Sequence, residues 1–326
     1  MTRAVEITKN LWTFSVGLPN RPPGVTNCYA IIGHERNLIV DTGSDTKQSK
    51  ADLCAVLEQL EIKPEKTDVF LTHFHPDHIG NARFMESAGC RILISAIDHE
   101  RFEYDMSNGM RREIEQSRAE GFDETQIQKL LEIWSRDDGL PKRFNATHVG
   151  AGSILEYGDY RFTALLTPGH SPGHICLYDE RKKILISGDH LLFGITPNVS
   201  AFLGVHDSLQ DYINSMLAVR ELEVELLLPA HKGVTGDYRK RIDEILLHHE
   251  NRCKSIKDVL VTHQNLSAYS VAQYLPWKSH SHSGWQEFSP IQKLMAVHEI
   301  SAHLIYLMHK GEINCKRIGT QDVYSI

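Results

Sequence analysis

The sequence predicts an α/β fold over roughly the first 235 residues and a smaller, mainly helical domain over the last ninety. Two observations carry this. Short apolar, β-branched runs alternate with turns in the first part: "VTNCYAIIG", "RNLIVDTG", "TDVFLTH", "CRILISA", "YRFTALLTPG", "HICLYDE", "KKILISGD" and "VELLLPAH". Helical stretches such as "KADLCAVLEQLEI" and "SLQDYINSMLAVREL" fall between some of them, whereas the residues after 235 read mostly as helices.

Length and charge agree with two parts. A chain of 326 residues exceeds the usual size of one hydrophobic core. The net charge is -7, and it is unevenly spread: residues 236–326 carry 11 Lys and Arg against 9 Asp and Glu, residues 1–235 carry 24 against 33. The net charge argues against tight nonspecific binding of nucleic acid or anionic lipid by the chain as a whole. No run is long and apolar enough to span a bilayer, and the amino terminus lacks the pattern of a secretory leader, so a cytoplasmic protein is expected. The six cysteines are scattered singly, as reduced thiols would be.

Residues 98–145 interrupt the strand rhythm. They contain a helical stripe of Ile127, Leu130, Leu131 and Trp134, which predicts a helical pair packing its own stripe, with a lid over a site as the functional alternative.

The stretch "LTHFHPDHIG" places His73, His75, Asp77 and His78 on a turn just beyond a buried strand, where Pro76 disfavours helix before it. Imidazole nitrogen and carboxylate oxygen bind a borderline cation such as Zn²⁺ at about 2.0 to 2.2 Å, and a site needs three or more of them. Four such groups in HxHxDH are hard to read as packing. Later strands end in further candidates: His170 in "TPGHSPGH", Asp189 in "SGDH" and His231 in "PAHKG".

This ordered set, with "VDTG" at Asp41 to Gly43 before it, resembles the metallo-β-lactamase superfamily over residues 1 to about 235. The resemblance implies an αββα sandwich with two metal ions at one edge and hydrolytic chemistry. Carried onto this sequence, His73, His75 and His170 would hold one ion, Asp77, His78 and His231 the other, and Asp189 would bridge them. Asp77 and Asp189 are then the carboxylates of the catalytic centre. Two zinc ions per chain are expected, with iron or manganese as alternative occupants. Two divalent cations about 3.5 to 4 Å apart lower the pKa of a shared water toward about 7 and so supply hydroxide. The absence of a GxSxG elbow disfavours a serine hydrolase.

Asp41 and His174 are expected to support the ligands rather than bind metal; Pro172 and Gly173 keep His170 and His174 off a shared helical face. The apolar, Gly- and Pro-broken loop "LLFGITPNVSAF" offers Phe193, Ile195 and Phe202 as substrate contacts, and Lys232 could meet an anionic group. His248, His249, His280 and His282 read as surface residues.

In the last part, "LSAYSVAQYL" opens at Ser267, a longer helix buries Leu294, Val297, Leu304 and Leu307 before Gly311, and two short strands flank "GTQD". Helix, helix, hairpin resembles a winged-helix module, similar to that of the β-lactamase-like protein 2 type of endoribonuclease. A surplus of about two positive charges is small for a nucleic-acid reader, so packing, dimerisation or pocket shaping is the expectation. The division expected is therefore 1–235 for catalysis and 236–326 for the winged-helix-like domain. The leading function is hydrolysis of a small ester, thioester or lactone. Alternatives are an RNA endonuclease and a persulfide dioxygenase with one iron.

Overall fold

The computed structural model describes residues 2–18, 24–135, 141–277 and 284–326; His280 and His282 lie outside them. The chain forms two compact units. The first comprises Met1–Met106, Gly139–Pro197 and Ser215–Tyr238; the second comprises Ser107–Asp138, Asn198–Asn214 and Arg239–Ile326. Residues 107–138 and 198–214 thus group with the carboxy-terminal helices, across the linear division expected at residue 235.

The first unit holds two sheets. One contains seven strands in chain order: β1 (Val5–Thr8), β2 (Leu11–Gly17), β3 (Val25–Ile31), β4 (Asn37–Val40), β5 (Thr67–Phe70), β6 (Arg91–Ile94) and β7 (Thr147–His148). It is antiparallel from β1 to β4 and parallel from β4 to β7. The other has five strands: β8 (Ile154–Tyr157), β9 (Tyr160–Leu166), β10 (Ile175–Asp179), β11 (Ile184–Gly188) and β12 (Leu226–Pro229), ordered β12-β11-β10-β9-β8. Here β11 and β12 are parallel and the remaining pairs antiparallel. The carboxyl ends of β4, β5 and β6 therefore share one edge, and so do those of β9, β11 and β12.

Alternation along the strands explains the layering. Tyr29, Ile31, Leu38, Val40, Phe70 and Leu93 point into a core shared with Phe162, Ala164, Ile175, Leu177 and Ile186 of the second sheet. Their neighbours Cys28, Ala30, Ile39, Val69 and Ile92 face the opposite way, onto Leu53 and Val56 of α1 (Lys47–Gln59). The short helices α2 (Pro76–Ile79) and α3 (Ala82–Ser87) add Ile79, Ala82 and Met85 to this side. Both faces of the central strands are buried, which is why they read as near-continuous apolar runs. The one charge in β5, Asp68, is fully buried and accepts from Arg36 Nη2 at 2.6 Å, Tyr157 Oη at 2.6 Å and Arg91. Burial opposes that charge, but these donors hold the carboxyl below its ordinary value.

The helix α4 (Ala96–Glu120) begins in the first unit and ends in the second. With α5 (Glu124–Trp134) it supplies the two helices expected between 98 and 145. Ile127 and Leu130 of the stripe are buried, Leu131 and Trp134 partly so. The stripe packs in the unit that holds the carboxy-terminal helices; Gln126 of α5 donates to the hydroxyl of Tyr269 at 2.6 Å. That unit also contains residues 208–214 of α6 (Ser208–Arg220), most of α7 (Tyr238–Thr262), α8 (Ala268–Tyr274) and α9 (Pro290–His309). The hairpin β13 (Asn314–Ile318) to β14 (Gln321–Ser325) follows. Ser267 caps α8, and Ser289 with Gln292 forms a capping box on α9, whose Leu294, Val297, Leu304 and Leu307 are buried as expected.

His249, read from the sequence as a surface residue, is buried: its Nδ1 lies 3.1 Å from Nε2 of His303 in α9. Burial disfavours a second, charging proton on either ring and brings His303 down to about 3. A neutral pair can share one hydrogen bond, which meets part of the polarity that suggested solvent; His249 Nε2 is buried and makes no hydrogen bond among the described residues.

His298 in α9 shows the opposite solution. Its Nε2 lies 3.1 Å from Glu113 and 3.2 Å from Glu120, both on α4. Burial opposes the imidazolium, but Glu120 and Glu113 overcome it and raise its pKa well above the ordinary value. A raised histidine contributes stability that is complete below the unfolded value of about 6.5 and is lost as pH rises through the folded one. His298→Leu removes the positive charge that Glu113 and Glu120 share and should cost about 3 kcal/mol in denaturant melts at pH 6. The cost should shrink as pH rises through the folded pKa; a pH-independent loss would refute the ion cluster.

Candidate metal centre

Every candidate donor sits where a strand ends. β5 leads into Leu71–His75 and α2, so its carboxyl end delivers His73, His75, Asp77 and His78 within one turn. Pro76 starts α2 and places Asp77 and His78 in its single turn. His170 lies in the loop from β9 to β10, Asp189 follows β11, and His231 follows β12. Because these ends belong to the aligned edges described above, seven side chains far apart in sequence meet.

The structure brings them into three overlapping groups: His73, His75 and His170; His73, His78 and Asp189; and Asp77, His78 and His231. Within each group the potential ligand atoms lie no more than 4.8 Å apart. His231 Nε2 is 3.3 Å from Asp77 Oδ2 and 3.4 Å from Asp189 Oδ1. His78 Nε2 is 3.6 Å from Asp189 Oδ1, and His170 Nε2 is 3.5 Å from Asp189 Oδ2. Two ligands of a tetrahedral zinc ion, each about 2.0 to 2.1 Å from it, stand roughly 3.3 Å apart. The observed spacings suit such an ion better than direct hydrogen bonds. His78 Nε2 and Asp189 Oδ1 are buried and make no hydrogen bond among the described residues, although each requires a partner. Orphaned donors converging at these distances are what a metal-ion site presents, and the residues fit the group.

Neighbours fix which nitrogen faces inward. Nδ1 of His78 lies 2.8 Å from Asp41 Oδ2, Nδ1 of His231 lies 2.9 Å from the Val25 carbonyl, and Nδ1 of His73 lies 3.1 Å from the Thr72 hydroxyl. Each contact places a proton on Nδ1 and turns Nε2 toward the other donors. His75 differs, turning its Nδ1 to within 3.0 Å of His73 Nε2. Burial, reinforced by neighbouring imidazoles, keeps His73 and His75 neutral and brings His75 down to about 3. At His231 burial works against the charge, but Asp189 and Asp77 prevail and raise it to about 9. Asp77, whose own burial would raise it, is brought down to about 2 by His78 and His231.

Asp41 and His174 stand behind the donors. Asp41 Oδ1 accepts the Thr72 amide at 2.9 Å, and Oδ2 accepts its hydroxyl at the same distance. His174 Nδ1 lies 2.8 Å from the Thr167 hydroxyl, and its Nε2 is packed against Gly188. A Cβ on Gly188 would come within 2.7 Å of that nitrogen and 2.9 Å of Thr72 Cβ; with φ at +50° as well, only glycine fits there.

Of the expected substrate contacts, Phe193 is buried, Ile195 partly buried and Lys232 exposed, all in the first unit. Phe202 is partly buried and falls in the second unit. Sequence reasoning missed Thr72 and Asp98. Thr72 had a signal, a hydroxyl immediately before the first histidine; Asp98, more than twenty residues away at a helix start, had none.

The family model of the metallo-beta-lactamase superfamily matches residues 21–231. The chain is 26% identical to the lactamase-like protein aptB of Emericella nidulans over 72% of its own length and 60% of that protein's, so it spans less than two thirds of that relative. It is 26% identical to the acyl-coenzyme A thioesterase MBLAC2 of Gallus gallus, over 65% of this chain and 74% of that protein. The crystal structure of a beta-lactamase domain protein from Burkholderia ambifaria superposes with a TM-score of 0.84 at 20% identity, covering 99% of this chain and 94% of that one, and so shares its fold. The paired sheets, the edge of His and Asp donors and the family match lead to one conclusion: the chain belongs to the metallo-beta-lactamase superfamily.

Proposed function

We propose that the chain is a dinuclear zinc-dependent hydrolase acting on a small ester, thioester or lactone. The observation that carries this reading is the orientation of Asp189, whose Oδ2 faces His170 while Oδ1 faces His78 and His231. One carboxylate thus addresses two donor sets. His73, His75 and His170 would hold one ion, and Asp77, His78 and His231 the other. When bound, two divalent cations supply hydroxide near neutral pH and polarise the acyl carbonyl.

The rest is done by the chain's own residues. Asp41, Thr72 and the Val25 carbonyl hold protons on Nδ1 of His78, His73 and His231, so the inward nitrogens need no rearrangement. Asp77 is the most exposed of the donors facing Asp189 and His231, and the Thr26 hydroxyl fastens its backbone carbonyl at 3.0 Å. Asn27 donates to the carbonyl of Lys232 at 2.7 Å and sets that residue's left-handed backbone beside His231. Phe193, Ile195, Phe202 and Lys232 are the substrate contacts this reading carries over from the sequence. Catalysis belongs in this reading to residues 1–235, and the helical remainder is assigned to packing or to pairing two copies.

A small acyl substrate is favoured over RNA by two considerations. One is the MBLAC2 likeness, since that relative is named an acyl-coenzyme A thioesterase. The other is charge: 24 basic against 33 acidic residues in the first 235 repel a polyanion.

Elemental analysis of protein made with zinc and iron both available should find close to two zinc ions per chain; one iron without zinc would instead support the dioxygenase. Asp189→Ala should lower thioester or lactone hydrolysis by more than about a hundredfold and reduce bound zinc below two. Full activity with unchanged metal would reject the bridging role. Hydrolysis should change less than about tenfold between low and moderate salt. Single-stranded RNA cleavage that falls with a log-log slope of about -0.7 per phosphate contact, and is lost in His75→Ala, would replace this reading with the endonuclease.

A further inference from the structure

Asp98 is fully buried in the first turn of α4, yet its carboxylate does not serve that helix. The first turn is served by Ser95, whose hydroxyl oxygen accepts the Asp98 amide at 3.1 Å. Asp98 Oδ2 accepts the Phe74 amide at 3.1 Å and the Ser171 hydroxyl at 2.6 Å, and Oδ1 accepts the Gly173 amide at 2.6 Å. Phe74 lies between His73 and His75, and Ser171 follows His170. One carboxylate therefore fastens the two loops that carry the three-histidine set without touching a histidine.

The approach is close enough to exclude any side chain at residue 173. A Cβ there would come within 2.3 Å of Ser95 Oγ and 2.8 Å of Asp98 Oδ1. The other donor set hangs from different anchors: Asp41 for His78, the Val25 carbonyl for His231 and the Thr26 hydroxyl for the Asp77 backbone. Burial raises the Asp98 carboxyl to about 6, against the lowering effect of its hydrogen bonds from Ser171, Gly173 and Phe74. Desolvating a carboxylate is costly, and satisfying it with donors from two other loops makes it a joint between them.

We propose that Asp98 is a positioning residue that sets the metal affinity of His73, His75 and His170 selectively, leaving the second donor set to its own anchors. This rests on the dinuclear reading above. Asp98→Asn keeps the volume but turns an amide NH₂ toward backbone or hydroxyl donors, so at least one loop must shift.

The test is zinc titration of the purified full chain against a chromophoric chelator, with circular dichroism to monitor folding. Wild type should bind two ions. Asp98→Asn should weaken one of them by about 10- to 100-fold and leave the other within about twofold, and Gly173→Ala should do the same. Asp68→Asn, which disturbs another buried carboxylate of the same unit, should lower the melting temperature and leave both affinities unchanged. Equal weakening of both ions in folded Asp98→Asn, or none, overturns the proposal. Should Asp98→Asn and Gly173→Ala fail to fold, Ser171→Ala decides, because it removes one bond of the three; selective weakening supports the proposal and unchanged affinities overturn it. Wild type binding fewer than two zinc ions would sink the dinuclear reading and this inference together, whereas two ions with indifferent variants sinks this inference alone.

Discussion

The carboxylate of Asp41 accepts the amide and hydroxyl of Thr72 and faces Nδ1 of His78, all within the buried edge at the carboxyl end of β4. This places a full negative charge where water cannot reach it, a cost of several kcal/mol unless donors surround it. The backbone bends to hold one of them, His78, in place. Asp41 adopts the left-handed conformation at φ 62°, which turns the chain so that Thr42 can meet the His78 carbonyl with both its amide, at 2.9 Å, and its hydroxyl, at 2.7 Å. Asn81 then donates to the carbonyls of Thr42 and Ser44, so the loop after β4 wraps the short helix that bears Asp77 and His78. Without this hub, the parallel alignment of β4 and β5 would deliver donors to one edge but would not aim them.

The two ends of β5 divide the labour of the fold. Near its start, Asp68 gathers Arg36, Arg91 and Tyr157, and Tyr157 belongs to the second sheet, so this cluster ties the sheets together away from the donors. Beyond its far end the chain bears four of the seven candidate ligands. Both ends are polar and buried, and between them Phe70 fills the core between the sheets while Val69 faces the helices. Rigidity at one end and reactivity at the other are thus linked through a strand of four residues.

The donor set was legible because HxHxDH compresses four donors into one turn, and because His170, Asp189 and His231 each follow an apolar run that had to be a strand. The layering came with the family resemblance rather than from alternation, because strands buried on both faces read as continuous apolar runs. What could not be read were partnerships across long separations. His249 looks solvated beside His248 until His303, more than fifty residues away, meets it. Nothing in the sequence pairs Glu113 and Glu120 with His298, about 180 residues on, yet its Nε2 lies within 3.2 Å of both. For the same reason residues 98–145 looked like a self-contained pair, whereas α5 finds Tyr269 of α8. Buried charge carries no periodicity of its own; its sign of identity is the partner, and the partner is written elsewhere in the chain.

Gly188 holds no ligand atom, yet His174 and Thr72 press on the space where a side chain would begin. Every one-base change in a glycine codon that encodes another amino acid adds that side chain, so inherited variation at this position has no mild option. The same holds for transplantation: moving the seven donors onto a new scaffold would carry over their chemistry but not the gap that lets two strand ends close on each other. An emptiness the size of one methyl group is part of what the lineage must pass on.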